Sequence, residues 1–308
     1  MLTAPTFHHV HLNVTDPEAS IAFYTTQFAS TSRITWAGQS ALQATNNVLL
    51  LFDKVDRPAT ITPQSAIWHF GWHVKDVRAK LAEFKTRPEV KLMPLYTEDD
   101  GQNHVYINSD TWPNIGDVLG ITKAQIAESK ASGAKPKGGG GFAYMQAPDG
   151  TLLEYIGDHP VERLNHVHMW QEQPFCAQLW YQKHFNVQPM PGRSSPEPVT
   201  EATCRITRGA DRTWPSLVKE GMFRTPRAGV MFGDVAVQWY APQGNAPLVS
   251  PRGQHYDHLG FGVKDLDAWV AQLKSDGVTF LQEPYKLGDT RAVMIEGPSL
   301  EALELVEV

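Results

Sequence analysis

The chain has 308 residues, of which 42% are hydrophobic and 19% charged, with a net charge of -6; this suits two globular domains of ordinary size. The negative balance, and the lack of any basic run interleaved with aromatics, exclude a nucleic-acid footprint, and no apolar run is long enough to span a bilayer. The N-terminal residues carry no secretory signal, so a cytoplasmic protein is expected, although a chain trimmed of its signal would read the same; Cys176 and Cys204 lie outside any C-x-x-C pair and read as reduced thiols.

In chain order, a strand opens at residues 7–11, and Asp16 followed by Pro17 is a helix start. Ile21, Tyr24 and Phe28 then recur at helical spacing, and residues 48–52 read as a strand. A second strand at 68–76 leads into a helix with Val77, Leu81 and Phe84 on its apolar face. Residues 98–141 form a long insertion, with a helix-like piece at 121–129 and a hinge-like run of glycines at 138–141. Strands at 143–146 and 152–156 close the first half, and 160–163 is the expected junction. The second half repeats the order: a strand at 165–168, a helix carrying Leu179 and Phe185, a second insertion at 187–228, and a strand at 235–240. A strand at 257–265, an apolar helical stripe (Leu266, Trp269, Val270, Leu273) and a last strand at 302–308 follow. The repeating unit is βαβββ, four copies fit, and the fold class is α+β. The expected domains are 1–160 and 161–308, with the two insertions as lids or unstructured loops.

The repeat carries chemistry. Phe7-His-His-Val-His11 has an echo in Asn165-His-Val-His168, and Trp68-His-Phe-Gly-Trp-His73 has one in Asp257-His-Leu-Gly-Phe261. The strand holding Glu154 has an echo holding Glu304. Alternation puts His9 with His11, His69 with His73, and His166 with His168 on one face of each strand. A glutamate inside an apolar strand needs a cation, a metal or strong donors. Two imidazoles and one carboxylate on three strands form a metal-ligand set with open coordination positions, the arrangement associated with non-haem Fe(II). The expected main site is His9, His69 and Glu154, and the expected second site is His166, Gln238, His258 and Glu304.

His-Val-His-Leu-Asn-Val near the start, His-Phe-Gly-Trp-His-Val-Lys-Asp in the middle and Ala147-Pro-Asp-Gly-Thr-Leu-Leu-Glu154 resemble the vicinal oxygen chelate superfamily. That superfamily includes glyoxalase I, type I extradiol dioxygenases, fosfomycin-resistance thiol transferases and bleomycin-binding proteins. The resemblance implies paired βαβββ units in two U-shaped sheet modules, around a metal that chelates two adjacent substrate oxygens. It places the first-strand histidine on His9 and His166, the second-unit histidine on His69 and His258, and the terminal glutamate on Glu154 and Glu304. The loop Gly297-Pro298-Ser299-Leu300 departs from the Asp-Pro-x-Gly pattern before Glu304. The fourth ligand of glyoxalase I falls on Leu50 in the first half, which binds no metal, and on Gln238 in the second. Extradiol dioxygenases are similar in having a tyrosine ten residues before the ligand glutamate, as Tyr144 stands before Glu154, but their upstream histidine is replaced here by glycines.

The leading expectation is a ring-cleaving dioxygenase with one divalent metal per functional module, Fe(II) favoured over Mn, Zn or Ni. Tyr144, with His104, Tyr106 or His11, would supply acid–base chemistry. The alternatives are a glyoxalase-type lyase or isomerase and a non-catalytic binder of small molecules. The expected partner is a small molecule with vicinal oxygens, with neither nucleic acid nor membrane, and a homodimer is open on base rates.

Overall fold

The computed structural model describes residues 2–59, 65–92, 96–99, 105–108, 131–132, 142–157, 159–192, 197–207, 227–241 and 247–308. Most of the expected lid at 98–141, including His104, the helix-like 121–129 and the glycines 138–141, lies outside the described residues, as do parts of the 187–228 insertion and the side chain of Tyr106.

Four units are present. The first holds β1 (Thr6–Val14), α1 (Pro17–Gln27), β2 (Thr31–Trp36), β3 (Gln39–Ala44) and β4 (Leu49–Lys54). The second holds β5 (Ile67–His73), α2 (Val77–Phe84), β6 (Lys91–Leu92), β7 (Tyr96–Asp99), β8 (Val105–Asn108), β9 (Phe142–Gln146) and β10 (Leu152–Ile156). The third holds β11 (Arg163–Trp170), α3 (Pro174–Phe185), β12 (Gln188–Pro189), β13 (Arg227–Phe232) and β14 (Val235–Tyr240). The fourth holds β15 (Tyr256–Val263), α4 (Leu266–Ser275), β16 (Phe280–Leu287), β17 (Thr290–Glu296) and β18 (Ala302–Glu307). The helix starts follow local chemistry: Asp16, Asp76 and Asp265 each accept the backbone N–H three residues on, from Ala19, Ala79 and Ala268.

The units assemble across the halves. Sheet 1 has eight strands in the order β16-β17-β18-β15-β1-β4-β3-β2, and sheet 2 has eight in the order β12-β13-β14-β11-β5-β10-β9-β6. The first unit therefore shares a sheet with the fourth, and the second with the third. Antiparallel pairing of β1 with β15 and of β11 with β5 makes the two joins.

Strand alternation sorts the side chains. Val10 and Leu12, Phe70 and Trp72, Leu153 and Tyr155, Val167 and Met169, Leu259 and Phe261, and Leu303 and Leu305 all enter one continuous core drawn from both sheets. Ring contacts such as Tyr24–Phe70, Phe185–Phe261 and Phe232–Phe261 tie helices and sheets together within it. Residues between these positions point to the opposite faces. Loops knit the sheets as well. Asp149, with φ +56° before β10, accepts from Thr15 N and Oγ1 at the end of β1. At the matching corner Gln171 donates to Pro298 O and Ser299 Oγ.

Cys176 and Cys204 form a disulfide across a sequence separation of 28. This overturns the expectation of two reduced thiols: the segment after β12 returns to the first turn of α3, where Gln173 also binds the backbone of Ile206 through both ends of its amide. No helix among the described residues is long and apolar enough to cross a membrane.

Reduction, or Cys176→Ser, releases a closed loop and lowers stability by about 3–4 kcal/mol, measured by denaturant unfolding with and without reductant. Glu301 is fully buried, and burial pushes its carboxyl up to about 7, although Tyr181 Oη and Ser299 N donate to it. The unfolded chain releases this proton near the ordinary 4.5 while the native chain keeps it, so stability falls as pH rises from about 4.5 to about 7. The cost reaches about 3 kcal/mol above that window. Glu301→Gln, a mimic of the neutral acid, is expected to raise the melting temperature at pH 8 and leave it nearly unchanged at pH 4, by calorimetry.

Candidate metal centres

Among the described residues, each eight-stranded sheet carries one cluster of potential ligand side chains on the face away from the shared core. On sheet 2, His69, Glu154, His166 and His168 place ligand atoms within 4.8 Å of one another, and all four are buried. Glu154 Oε2 lies 3.0 Å from His69 Nε2, 3.7 Å from His166 Nε2 and 3.7 Å from His168 Nδ1. On sheet 1, His9, His11 and His258 form the corresponding group. Glu304 Oε2 joins it at 3.4 Å from His9 Nε2 and 3.9 Å from His258 Nε2.

The two clusters are one constellation at one register. His11 stands opposite His258, and His168 opposite His69. His9 stands opposite Gly260, which also registers with Glu304; His166 stands opposite Gly71, which registers with Glu154. The glycines are part of the construction. A Cβ on Gly71 would sit 1.9 Å from the His166 ring, and one on Gly260 2.0 Å from the His9 ring. Each imidazole therefore occupies space over the neighbouring strand that only glycine leaves open.

This corrects the expected grouping. His9 does not meet His69 and Glu154; it meets His258 and Glu304, because β1 pairs with β15. His166 leaves His258 and Glu304 for His69 and Glu154, because β11 pairs with β5. His11 lies in the sheet 1 cluster, away from Tyr144 on sheet 2, and the corresponding neighbour of His69 is His168. Leu50 is core-facing, and the residue that registers like Gln238 is Leu51: His11 pairs with Leu51 as His168 pairs with Gln238. Sequence reasoning missed Gly71 and Gly260, although a glycine two residues after each second-unit histidine was a visible signal.

The donor atoms suit a divalent metal. Among the described residues, His166 Nε2, Gln238 Oε1, His9 Nε2 and His258 Nε2 are buried with no hydrogen-bond partner, a costly state unless an ion or ligand meets them. Burial, with His8, His258 and His11 nearby, holds His9 well below the usual imidazole range. Burial brings His258 to about 4. Both rings are therefore neutral at neutral pH, the state a metal ligand requires. Burial by itself would raise the Glu154 carboxyl, but His166 and His69 outweigh it and hold the group well below its ordinary range. Burial raises the Glu304 carboxyl, and Tyr285 donates its hydroxyl to Oε1.

The surroundings differ. Next to His69 stands Trp68, stacked on Trp170 at 4.7 Å and 5.7 Å from Tyr144. Tyr144 registers with Glu154 and its ring lies 4.8 Å from that of His69. His168 Nδ1 is 2.8 Å from His69 Nε2, and the Tyr240 hydroxyl meets His168 Nε2 at 3.1 Å. Next to His258 stands Asp257, whose Oδ1 accepts from His258 Nδ1 at 2.6 Å. His11 Nε2 is 3.3 Å from Asp53. A cavity of about 220 Å³ opens over this cluster.

Gly71→Ala is expected to expel the His166 imidazole and remove metal uptake at sheet 2 alone, and Gly260→Ala to do the same at sheet 1. Overpacking of this kind costs about 1–3 kcal/mol, so both variants should remain folded. Metal-to-protein ratios by elemental analysis check the outcome, each variant losing one equivalent.

The family model for the Glyoxalase/Bleomycin resistance protein/Dioxygenase superfamily matches residues 6–155 and again 163–305. No curated protein matches the chain. Glyoxalase I from Zea mays superposes with a TM-score of 0.60 at 17% identity, over 99% of this chain and 92% of that one. A candidate dioxygenase from Bacillus subtilis superposes with a TM-score of 0.55 at 12% identity, over 100% of this chain and 86% of that one. At such identities the likeness is one of fold. With both halves matched by the family model, and with the four units and two ligand clusters in place, the chain belongs to the Glyoxalase/Bleomycin resistance protein/Dioxygenase superfamily.

Proposed function

We propose that the protein is a metal-dependent enzyme whose principal centre is on sheet 2, at His69, His166 and Glu154, and that it opens the ring of a planar substrate bound through two neighbouring oxygens. The observation that carries this reading is the aromatic wall beside the ligand set. Trp68 stacks on Trp170 and lies nearly parallel to the His168 ring, at 6.0 Å and 19°, while Tyr144 and Tyr240 meet its edge. Flat aromatic faces favour a flat aromatic ligand.

A divalent metal held by two imidazoles and a carboxylate, Fe(II) in this reading, supplies Lewis acidity and redox capacity. The chain supplies the rest. His168 is the base nearest the ligands, and its far nitrogen meets the Tyr240 hydroxyl, so a substrate hydroxyl proton has a route away from the centre. Tyr144, fully buried opposite Glu154, places a second hydroxyl at the same face. The core-facing residues around Glu154 and His69 keep water from the back of the centre. The Cys176–Cys204 bridge supports an oxidising compartment as the place of work, in preference to the reducing cytoplasm.

A second reading rests on Gln238. Its Oε1 is buried without a partner, at the register position opposite His168. As a fourth ligand it would suit redox-neutral isomerase or lyase chemistry with Zn, Ni or Mn.

Protein loaded anaerobically with Fe(II) and mixed with a panel of catechols is expected to consume one O2 per catechol in an oxygen electrode. His168→Phe should retain metal and lose about 10²–10⁴ in kcat. Full metal loading with no O2 uptake on any diol would sink the dioxygenase reading. Turnover of a 2-oxoaldehyde thiohemiacetal without O2, abolished in Gln238→Leu, would establish the second.

A further inference from the structure

The sheet 1 centre keeps the ligand constellation of sheet 2 but has exchanged its surroundings residue for residue. At the position before the second-unit histidine, sheet 2 has Trp68 and sheet 1 has Asp257. On the fourth strand, Tyr240 is matched by Asp53, and Gln238 by Leu51. Opposite the glutamate, Tyr144 is matched by Met294. Two aromatic neighbours, Trp68 and Tyr240, have thus become carboxylates, Asp257 and Asp53, beside a cavity that also holds apolar side chains.

We infer that the sheet 1 centre is a second, separate site, which binds a small chelating carboxylate of the 2-hydroxy or 2-oxo acid class, with the guanidinium of Arg252 reading the carboxylate beside a metal held by His9, His258 and Glu304.

Four observations support it. The cavity of about 220 Å³ is lined by Arg252, His258, Glu304, His11, Asp53 and Tyr285 among others, so cation and ligand atoms open into one space. His9 Nε2 and His258 Nε2 are buried, have no hydrogen-bond partner and lie 3.4 and 3.9 Å from Glu304 Oε2. Asp257 fixes the second of these rings: it accepts from His258 Nδ1, and it is itself held by Gly253 N at 2.7 Å and Asn13 Nδ2 at 3.2 Å. The tautomer is thereby set with the Nε2 lone pair free for a metal.

Arg252 is the fourth. Its NH1 is committed to Asp257, beside His258 Nδ1, while Nε and NH2 have no hydrogen-bond partner among the described residues. The pair with Asp257 anchors one edge of the planar fork and leaves donors for a second carboxylate. Hydrophobic Leu51 and Met294 offer no competing donor at the same wall.

The test uses the full chain with Co(II) as a coloured probe. The double variant His166→Ala/Glu154→Ala silences sheet 2 and is expected to retain one Co(II) per chain. Titration with pyruvate or lactate should then shift the Co(II) visible bands saturably, while catechol and inorganic phosphate should not. Arg252→Gln, made in the same background, should keep the Co(II) and weaken pyruvate binding about tenfold or more, the scale of a charge-assisted hydrogen bond. Should the double variant fail to fold, the same bands are read in the wild-type chain, which is expected to hold two Co(II), only one of them responding to pyruvate. A wild-type chain that takes up a single Co(II), bands unmoved by pyruvate and lactate, equal responses to phosphate and pyruvate, or an Arg252→Gln variant that binds pyruvate as the parent does would each overturn the inference.

Discussion

The antiparallel joining of β1 to β15 and of β11 to β5 is the constraint on which both centres depend. Among the described residues, neither half of the chain contains a complete cluster by itself. His9 and His11 find His258 and Glu304 only because the first strand lies against the fourth unit, and His166 and His168 find His69 and Glu154 by the reciprocal join. A shift of either join by one residue would turn every histidine on that strand into the core and every core residue out to the site. The core therefore guards the chemistry: Val10, Leu12, Val167 and Met169 hold the register that presents the imidazoles between them.

Close approach is the second requirement. Burying several imidazoles and a carboxylate in one small volume costs free energy unless they stay neutral, pair, or meet an ion. The chain uses all three. Desolvation keeps His9 and His258 uncharged, Glu154 is stabilised as a carboxylate by His166 and His69, and several ring nitrogens remain directed at an unfilled polar need. Gly71 and Gly260 make the packing possible by leaving room for a ring where a Cβ would collide.

Duplication has left the ligands alike and the neighbours unlike. Trp68, Tyr240 and Tyr144 surround one centre, while Asp257, Asp53 and Met294 stand at the same places around the other. In metal sites generally, such neighbours tune which ligand enters and which proton moves, whereas the donor set governs whether a metal is held. Shared architecture with both a glyoxalase I and a candidate dioxygenase accords with this division between scaffold and reaction.

The sequence by itself determined the βαβββ repeat, the cap at Asp16, and the identity of the histidines and glutamates with ligand potential. Each of these is local: it depends on alternation, helical spacing or a residue beside its own backbone. The choice of Leu50 failed by one position because a short apolar strand has no internal mark for which face looks outward; only pairing with His11 selects Leu51. The cysteine pair and the partnership of His9 with His258 were hidden for the same reason at longer range. Which strand lies beside which is settled by the packing of a common core between distant segments, so the tertiary structure alone decided that the two ligand sets are shared between the halves.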